Sequence, residues 1–214
     1  MRRLAALGAV SVLVLGAPDA LALSRNPAIL HLGGHAQALR TPLQQLSSRL
    51  LKAQAVGQQA ARPQGASSNK VVLSALEADI VARINGQRTV RGLRPLRVSR
   101  GLTAAAKYHS RQMGLFGFFE HESRNGAPFW RRIERFYPSG RGYWSVGENI
   151  LWESPETSAA SAVHEWMKSA PHRENILTRE FRDIGVAAVH FNSAPGAFEG
   201  RPVTIVTADF GVRR

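Results

Sequence analysis

The chain has 214 residues, 44% hydrophobic and 20% charged, and its 28 Lys and Arg against 15 Asp and Glu leave a formal net charge of +13. That apolar and aromatic content is too high for a wholly disordered chain, and the length suits one domain, with or without a tail, able to bury a sizeable core. With no cysteine present, disulfide scaffolds, thiolate zinc sites, iron–sulfur clusters and cysteine nucleophiles are excluded, while the redox compartment stays open because a chain without thiols is indifferent to it.

In chain order, Met1, Arg2 and Arg3 form a short basic start, and Leu4 to Ala17 run almost continuously apolar. Pro18 and Asp19 break the run, and Ala20-Leu21-Ala22 offers small residues for cleavage. This predicts a secretory signal peptide over 1–22. Its apolar stretch is shorter than the roughly 20 residues of a spanning helix, and without cysteine no lipobox exists. The mature chain is expected to begin near Leu23 and to be exported, secreted or periplasmic, from a bacterium. No later segment is apolar enough to span a bilayer.

Residues 23–70 hold no Phe, Trp or Tyr and end in the Pro-, Gly- and Ser-bearing run 62–69, which reads as a flexible region. Leu43, Leu46, Leu50 and Leu51 allow one amphipathic helix within it. His31 and His35 stand four apart, but no helical pattern surrounds them.

The folded domain is expected over 71–214. Val72, Leu73, Leu76, Ile80, Val81 and Ile84 form a helical stripe that ends before Gly92. Ser99 caps a second helix with Leu102, Ala105, Ala106, His109 and Met113 on its apolar face, ended by Gly114 and Gly117. Residues 122–146 read as a basic loop. Ser154-Pro155-Glu156 reads as a helix start, with Ala159, Ala162, Val163, Trp166 and Met167 on one face, and Pro171 opens a further helix. Asp183 to Asn192 and Arg201 to Gly211 alternate as two strands joined by a turn at Ser193-Ala194-Pro195-Gly196. Helices first and strands later predict an α+β fold with a mostly antiparallel sheet.

Four segments embed polar residues in apolar sequence: Phe118-Phe119-Glu120-His121, Gly147-Glu148-Asn149-Ile150, Trp166-Met167-Lys168-Ser169 and Pro171-His172-Arg173-Glu174-Asn175-Ile176-Leu177. Each alone reads equally as a structural hydrogen-bonding group. Together with Ile84-Asn85, Arg88, Gly92-Leu93-Arg94-Pro95-Leu96, His109-Ser110, Asp183-Ile184-Gly185-Val186 and Ala208-Asp209-Phe210-Gly211, and in this order, they resemble the CAP superfamily. That family joins cysteine-rich secretory, antigen 5 and pathogenesis-related 1 proteins with bacterial SCP-like extracellular proteins. The resemblance covers about residues 76–211. It implies a three-layer α-β-α sandwich with a central cavity, often lined by two histidines and two glutamates. Here the motifs supply His121, Glu148 and His172. The fourth position is Ser169 where eukaryotic members carry glutamate, and Glu165, one helical turn earlier, is the residue near enough in sequence to lean toward the same face.

Two imidazoles and a carboxylate, His121, His172 and Glu148, suit Zn²⁺ or another divalent cation with an open water position, and they suit equally a polar cavity without metal. A zinc-protease helix at His164-Glu165 fails because position 168 is Lys168. No serine hydrolase elbow or phosphate loop occurs, and Glu148 lacks an obvious carboxylate partner for glycosidase chemistry.

The arginines Arg124, Arg131, Arg132, Arg135 and Arg141 are interleaved with Phe129, Trp130, Phe136, Tyr137, Tyr143 and Trp144. Such a mixture suits nucleic acid, but export points instead to anionic envelope lipid, glycan or another anionic surface. The expected function is non-enzymatic binding of a ligand or envelope component by a monomeric or weakly associating exported protein. The alternatives are a metal-dependent hydrolase of peptide or cell-wall material and an anionic-surface adhesin working through Arg124–Arg141.

Overall fold

The computed structural model describes residues 4–8, 13–15 and 71–214. The expected helix near Leu43–Leu51, His31, His35 and the expected cleavage positions lie outside the described residues. Within the apolar N-terminal run, β1 (Leu4–Gly8) and β2 (Leu13–Leu15) pair antiparallel with β4 (Trp144–Ser154). Among the described residues no helix is long and apolar enough to cross a membrane.

The first helix, α1 (Ala75–Thr89), starts where a capping box forms: Ser74 Oγ accepts from the Glu77 backbone N–H, and the Glu77 carboxylate accepts from the Ser74 N–H at 2.8 Å. Val72, expected on its stripe, therefore precedes the helix and is exposed, while Ile80, Val81 and Ile84 are buried. Arg88 near its end is fully buried, and its guanidinium donates to the carbonyls of Arg94, Ile176 and Thr178 at 2.7–2.9 Å. That fixes α1 to α5 (Ala170–Leu177).

After the short β3 (Arg97–Val98), Ser99 caps α2 (Arg100–Phe116) as expected. Gly114 does not end this helix. It lies within it, where an added Cβ would stand 2.1 Å from the Phe191 ring, and Gly117, in the left-handed region at φ 69°, makes the stop. The stretch 122–146 is not all loop. Phe129 and Ile133 are spaced one turn apart and buried, forming α3 (Phe129–Phe136) against α2 and β4, and β4 already begins at Trp144. Ser154 does not start a helix either. Its hydroxyl donates to Pro202 O at 2.7 Å at the end of β4, and Ser158 instead caps α4 (Ala159–Lys168).

β5 (Asp183–Ala194), a 3₁₀ turn (Gly196–Phe198) and β6 (Arg201–Arg213) form the expected hairpin. The sheet order is β1-β4-β6-β5-β3, with β2 also on β4. All pairs are antiparallel except β3–β5. Alternation along the strands separates two faces. Leu151, Ile184, Val186, Val206, Ala208 and Phe210 meet α1, α4 and α5. Trp144 and Val146 meet α2 and α3, while Ile150, Val203 and Ile205 meet Met113 of α2. This is the three-layer sandwich the resemblance implies. At Gly185 a Cβ would lie 2.0 Å from backbone atoms of Leu102 and Thr103, so α2 rests directly on β5.

Candidate functional site

The 147–150 motif divides its tasks between the two faces of β4. Gly147 leaves room for α5: a Cβ there would stand 2.6 Å from Asn175 Oδ1. Asn149 faces α5, donating to His172 O at 3.0 Å and accepting from Asn175 Nδ2 at 2.9 Å. Asn175 Nδ2 also donates to Glu148 O. The Glu148 side chain points to the other face, fully buried beneath α2 and α3.

Around the Glu148 carboxylate three elements converge. The loop after Gly117 brings His121, whose Nδ1 lies 2.8 Å from Oε1. From α3, Arg132 donates to Oε2, and its Nη1 also donates to His121 O at 3.0 Å and Ser123 Oγ at 3.3 Å. From α2, His109 Nε2 stands 3.9 Å from Oε1 and bonds Glu120 O at 2.8 Å. A carbonyl only accepts, so His109 carries its proton on Nε2. By the same reasoning Nδ1 of His121 is the atom that donates to the carboxylate, and its Nε2 is buried with no hydrogen-bond partner among the described residues.

The register pairs Glu148 with Asp209 of β6, also fully buried. Burial pushes the Asp209 carboxyl well above its ordinary value, and the neighbouring Glu148 charge pushes it further, so Asp209 is the neutral acid of the pair. Burial also works to raise Glu148, but Arg132, with His109 and His121 behind it, outweighs burial and holds Glu148 well below the usual carboxylate range. His109 is lowered to about 4, by burial first and against the pull of Glu148. The result is one buried negative charge, neutralised by one guanidinium and framed by imidazoles.

Of the residues named from sequence, His121 and Glu148 are in direct contact. His172 is lowered to about 4 by burial first, with the neighbouring His121 as the lesser cause. Ser169 does not substitute for a second carboxylate. Its hydroxyl holds His172 Nδ1 at 2.7 Å, and its backbone caps α5. Glu165 turns away and pairs with Lys168 at 3.3 Å. As these groups stand they do not fit a divalent ion: both Glu148 oxygens are engaged, and among the described residues no three His, Cys, Asp or Glu side chains are placed to share one.

The arginine run resolves differently from one solvated patch. A cavity of about 600 Å³ opens between α2, α3 and the loop joining them. Tyr108, His109 and Gln112 line it from α2, Ser123, Arg124, Asn125 and Ala127 from the loop, and Arg131, Arg132 and Arg135 from α3. No carboxylate is among these residues. Arg132 belongs to both settings, reaching from this cavity to Glu148. The Arg124 guanidinium lies 4.1 Å from the centroid of the Phe116 ring and that of Arg131 5.4 Å from that of Trp130. Arg141 is exposed and outside the lining.

Sequence reasoning missed His109, Arg132 and Asp209 as partners of Glu148. A signal for Asp209 was present: it shares parity along β6 with Val203 and Ile205, so its carboxyl lies on their buried face.

The family model described as the cysteine-rich secretory protein family, CAP, matches residues 81–209. The uncharacterised protein YkwD of Bacillus subtilis is 34% identical over 122 residues, 56% of this chain and 45% of that protein. The chain thus spans under half the length of this curated relative. Among solved structures, an outer surface protein of Borrelia burgdorferi aligns over 66% of this chain and 97% of its own with a TM-score of 0.51 and 18% identity, a likeness of fold. An extracellular SCP-domain protein of Bacillus anthracis aligns over 68% of this chain and 45% of its own, with a TM-score of 0.49 and 21% identity.

Proposed function

Because the chain belongs to the cysteine-rich secretory protein (CAP) family, we propose that it is an exported binding protein that holds an anionic component of the bacterial envelope in the cavity between α2 and α3. The carrying observation is the lining: Arg124, Arg131 and Arg135 stand exposed on it, and no carboxylate is among the residues that line it. Guanidinium groups bind carboxylate and phosphate through paired, charge-assisted hydrogen bonds, and the volume lies in the range of small-ligand pockets. Arg132 is spent on Glu148, so the charge offered to a ligand comes from Arg124, Arg131 and Arg135, exposed at the rim. The signal-like N-terminus supports export, and export favours an envelope anion over nucleic acid. This pocket is not the cavity expected around His121, Glu148, Ser169 and His172, none of which lines it; of the arginines expected at an anionic surface, all but Arg141 do. The Glu148 cluster serves as frame in this reading, without a catalytic role.

The test is titration calorimetry on the mature chain with sn-glycerol 1-phosphate and with soluble muropeptides, as carriers of phosphate and of carboxylate. Binding of at least one, lost in Arg124→Glu/Arg135→Glu and kept in His172→Ala, supports the proposal. No binding of either, or equal binding by the charge-reversed variant, contradicts it.

A further inference from the structure

The outer surface of α2 carries more than the pocket requires. Among the described residues six large hydrophobic side chains are exposed, and three of them, Tyr108, Leu115 and Phe116, fall on the second half of this one helix, at 39%, 52% and 46% exposure. Helical spacing sorts its surface into two adjoining rows. Tyr108 and Gln112 line the arginine pocket, and Phe116 continues their row one turn on, against Arg124. Lys107, Arg111 and Leu115 run along a second groove, on the β5 side. Leu115 and Phe116 thus form an apolar tip at the C-terminal end of a ridge with cations on both flanks.

The charge on this ridge has one sign. From Arg100 to Phe116 the helix has three cationic residues and no Asp or Glu. Arg124 adds a fourth cation, laid against the Phe116 ring. Glu77, which lines the second groove, is committed to the backbone N–H groups of Ser74 and Ala188. The exposed Glu120 and Glu122 lie on the loop beyond Gly117.

We infer that the anionic envelope partner is a lipid bilayer, met by this face of α2, with Leu115 and Phe116 entering the acyl boundary while Arg111, Lys107 and Arg124 meet headgroup phosphates. This rests on the pocket reading, whose anion then becomes a headgroup. A soluble glycan accounts for the arginines but leaves the Leu115–Phe116 tip without a role. A bilayer accounts for both, because interfacial binding combines buried apolar area with attraction to anionic lipid. The guanidinium stacked on Phe116 matches the interface as well, an aliphatic stem beside the ring and a charged head at phosphate level.

The experiment is co-sedimentation of the mature chain with vesicles of phosphatidylcholine alone and of phosphatidylcholine mixed with phosphatidylglycerol. The comparison variant is Leu115→Ser, at a site that is exposed and outside the lining of the arginine pocket. The wild type is expected on the mixed vesicles and not on the neutral ones. The variant is expected to lose about tenfold or more in partition while titrating sn-glycerol 1-phosphate as the wild type does. No vesicle binding by a wild type that binds glycerol phosphate or muropeptides overturns the bilayer and leaves the pocket. Vesicle binding equal in wild type and variant overturns the insertion of the tip. A wild type that binds none of these ligands overturns the pocket reading itself.

Discussion

Arg132→Met removes the guanidinium that neutralises a fully buried Glu148 while keeping much of the side chain's apolar volume. Breaking a buried ion pair from one side costs about 3–5 kcal/mol, because the remaining charge is left without its partner. Two further hydrogen bonds, to His121 O and Ser123 Oγ, go with it. Asp209, its register partner on β6, is a neutral acid and supplies no positive charge in place of the guanidinium. Set against a typical total of about 5–15 kcal/mol, this is a large fraction, and it lowers Tm by roughly 10 °C in a domain of this size. Glu148→Gln in the same chain removes the stranded charge, so the double variant recovers a substantial part of the loss. Urea unfolding of the wild type, both single variants and the double variant at pH 7 gives the coupling directly. A cost under about 1 kcal/mol for Arg132→Met, or the same cost in the Glu148→Gln background, refutes the argument that Arg132 holds the Glu148 charge in place.

The titrating groups around this cluster set the pH dependence of stability. His109 and His172 titrate near 4 in the fold against an ordinary 6.5, so the unfolded chain binds their protons first. Stability is then greatest above the ordinary value and falls as pH drops from there toward 4. Each histidine costs about 2 kcal/mol by pH 5, and urea midpoints unchanged between pH 7 and pH 5 would contradict it. Asp209 has the opposite sign: its raised folded value favours the fold at pH below its ordinary 3.8, and the advantage is lost as pH rises. Asp209→Asn removes the ionisation of a fully buried carboxyl, so it should stabilise the fold at pH 7 and converge on the wild type near pH 4. Thermal unfolding at both pH values checks this, and destabilisation at pH 7 would sink it.

The helices α1, α2 and α4 were legible because their buried faces repeat at helical spacing, α5 because Pro171 marks a helix start, and β5 and β6 because theirs alternate. α3 was not, since eight residues rich in arginine give too short a period to read and its burial comes from β4 and α2. Ser154 misled because serine before proline is a good cap locally, while its hydroxyl is spent on Pro202 across the sheet. The site divided the same way. His121, Glu148 and His172 stood out as polar residues in apolar sequence. Their actual partners did not: Arg132 looked like one arginine among several, and Asp209 is 61 positions from Glu148 and meets it only through the strand register. What a serine does in place of a glutamate was equally invisible, because Ser169 acts through His172.

The central claim is that the α2–α3 cavity recognises its ligand by charge. It is tested most directly by the dissociation constant of the mature chain for sn-glycerol 1-phosphate or a muropeptide across rising sodium chloride, at fixed pH. The account predicts steep weakening with salt, as the Debye length contracts from about 10 Å at 0.1 M to about 3 Å at 1 M. It also predicts little salt dependence in whatever binding survives Arg124→Glu/Arg135→Glu. An affinity that holds constant from low to high salt would contradict it.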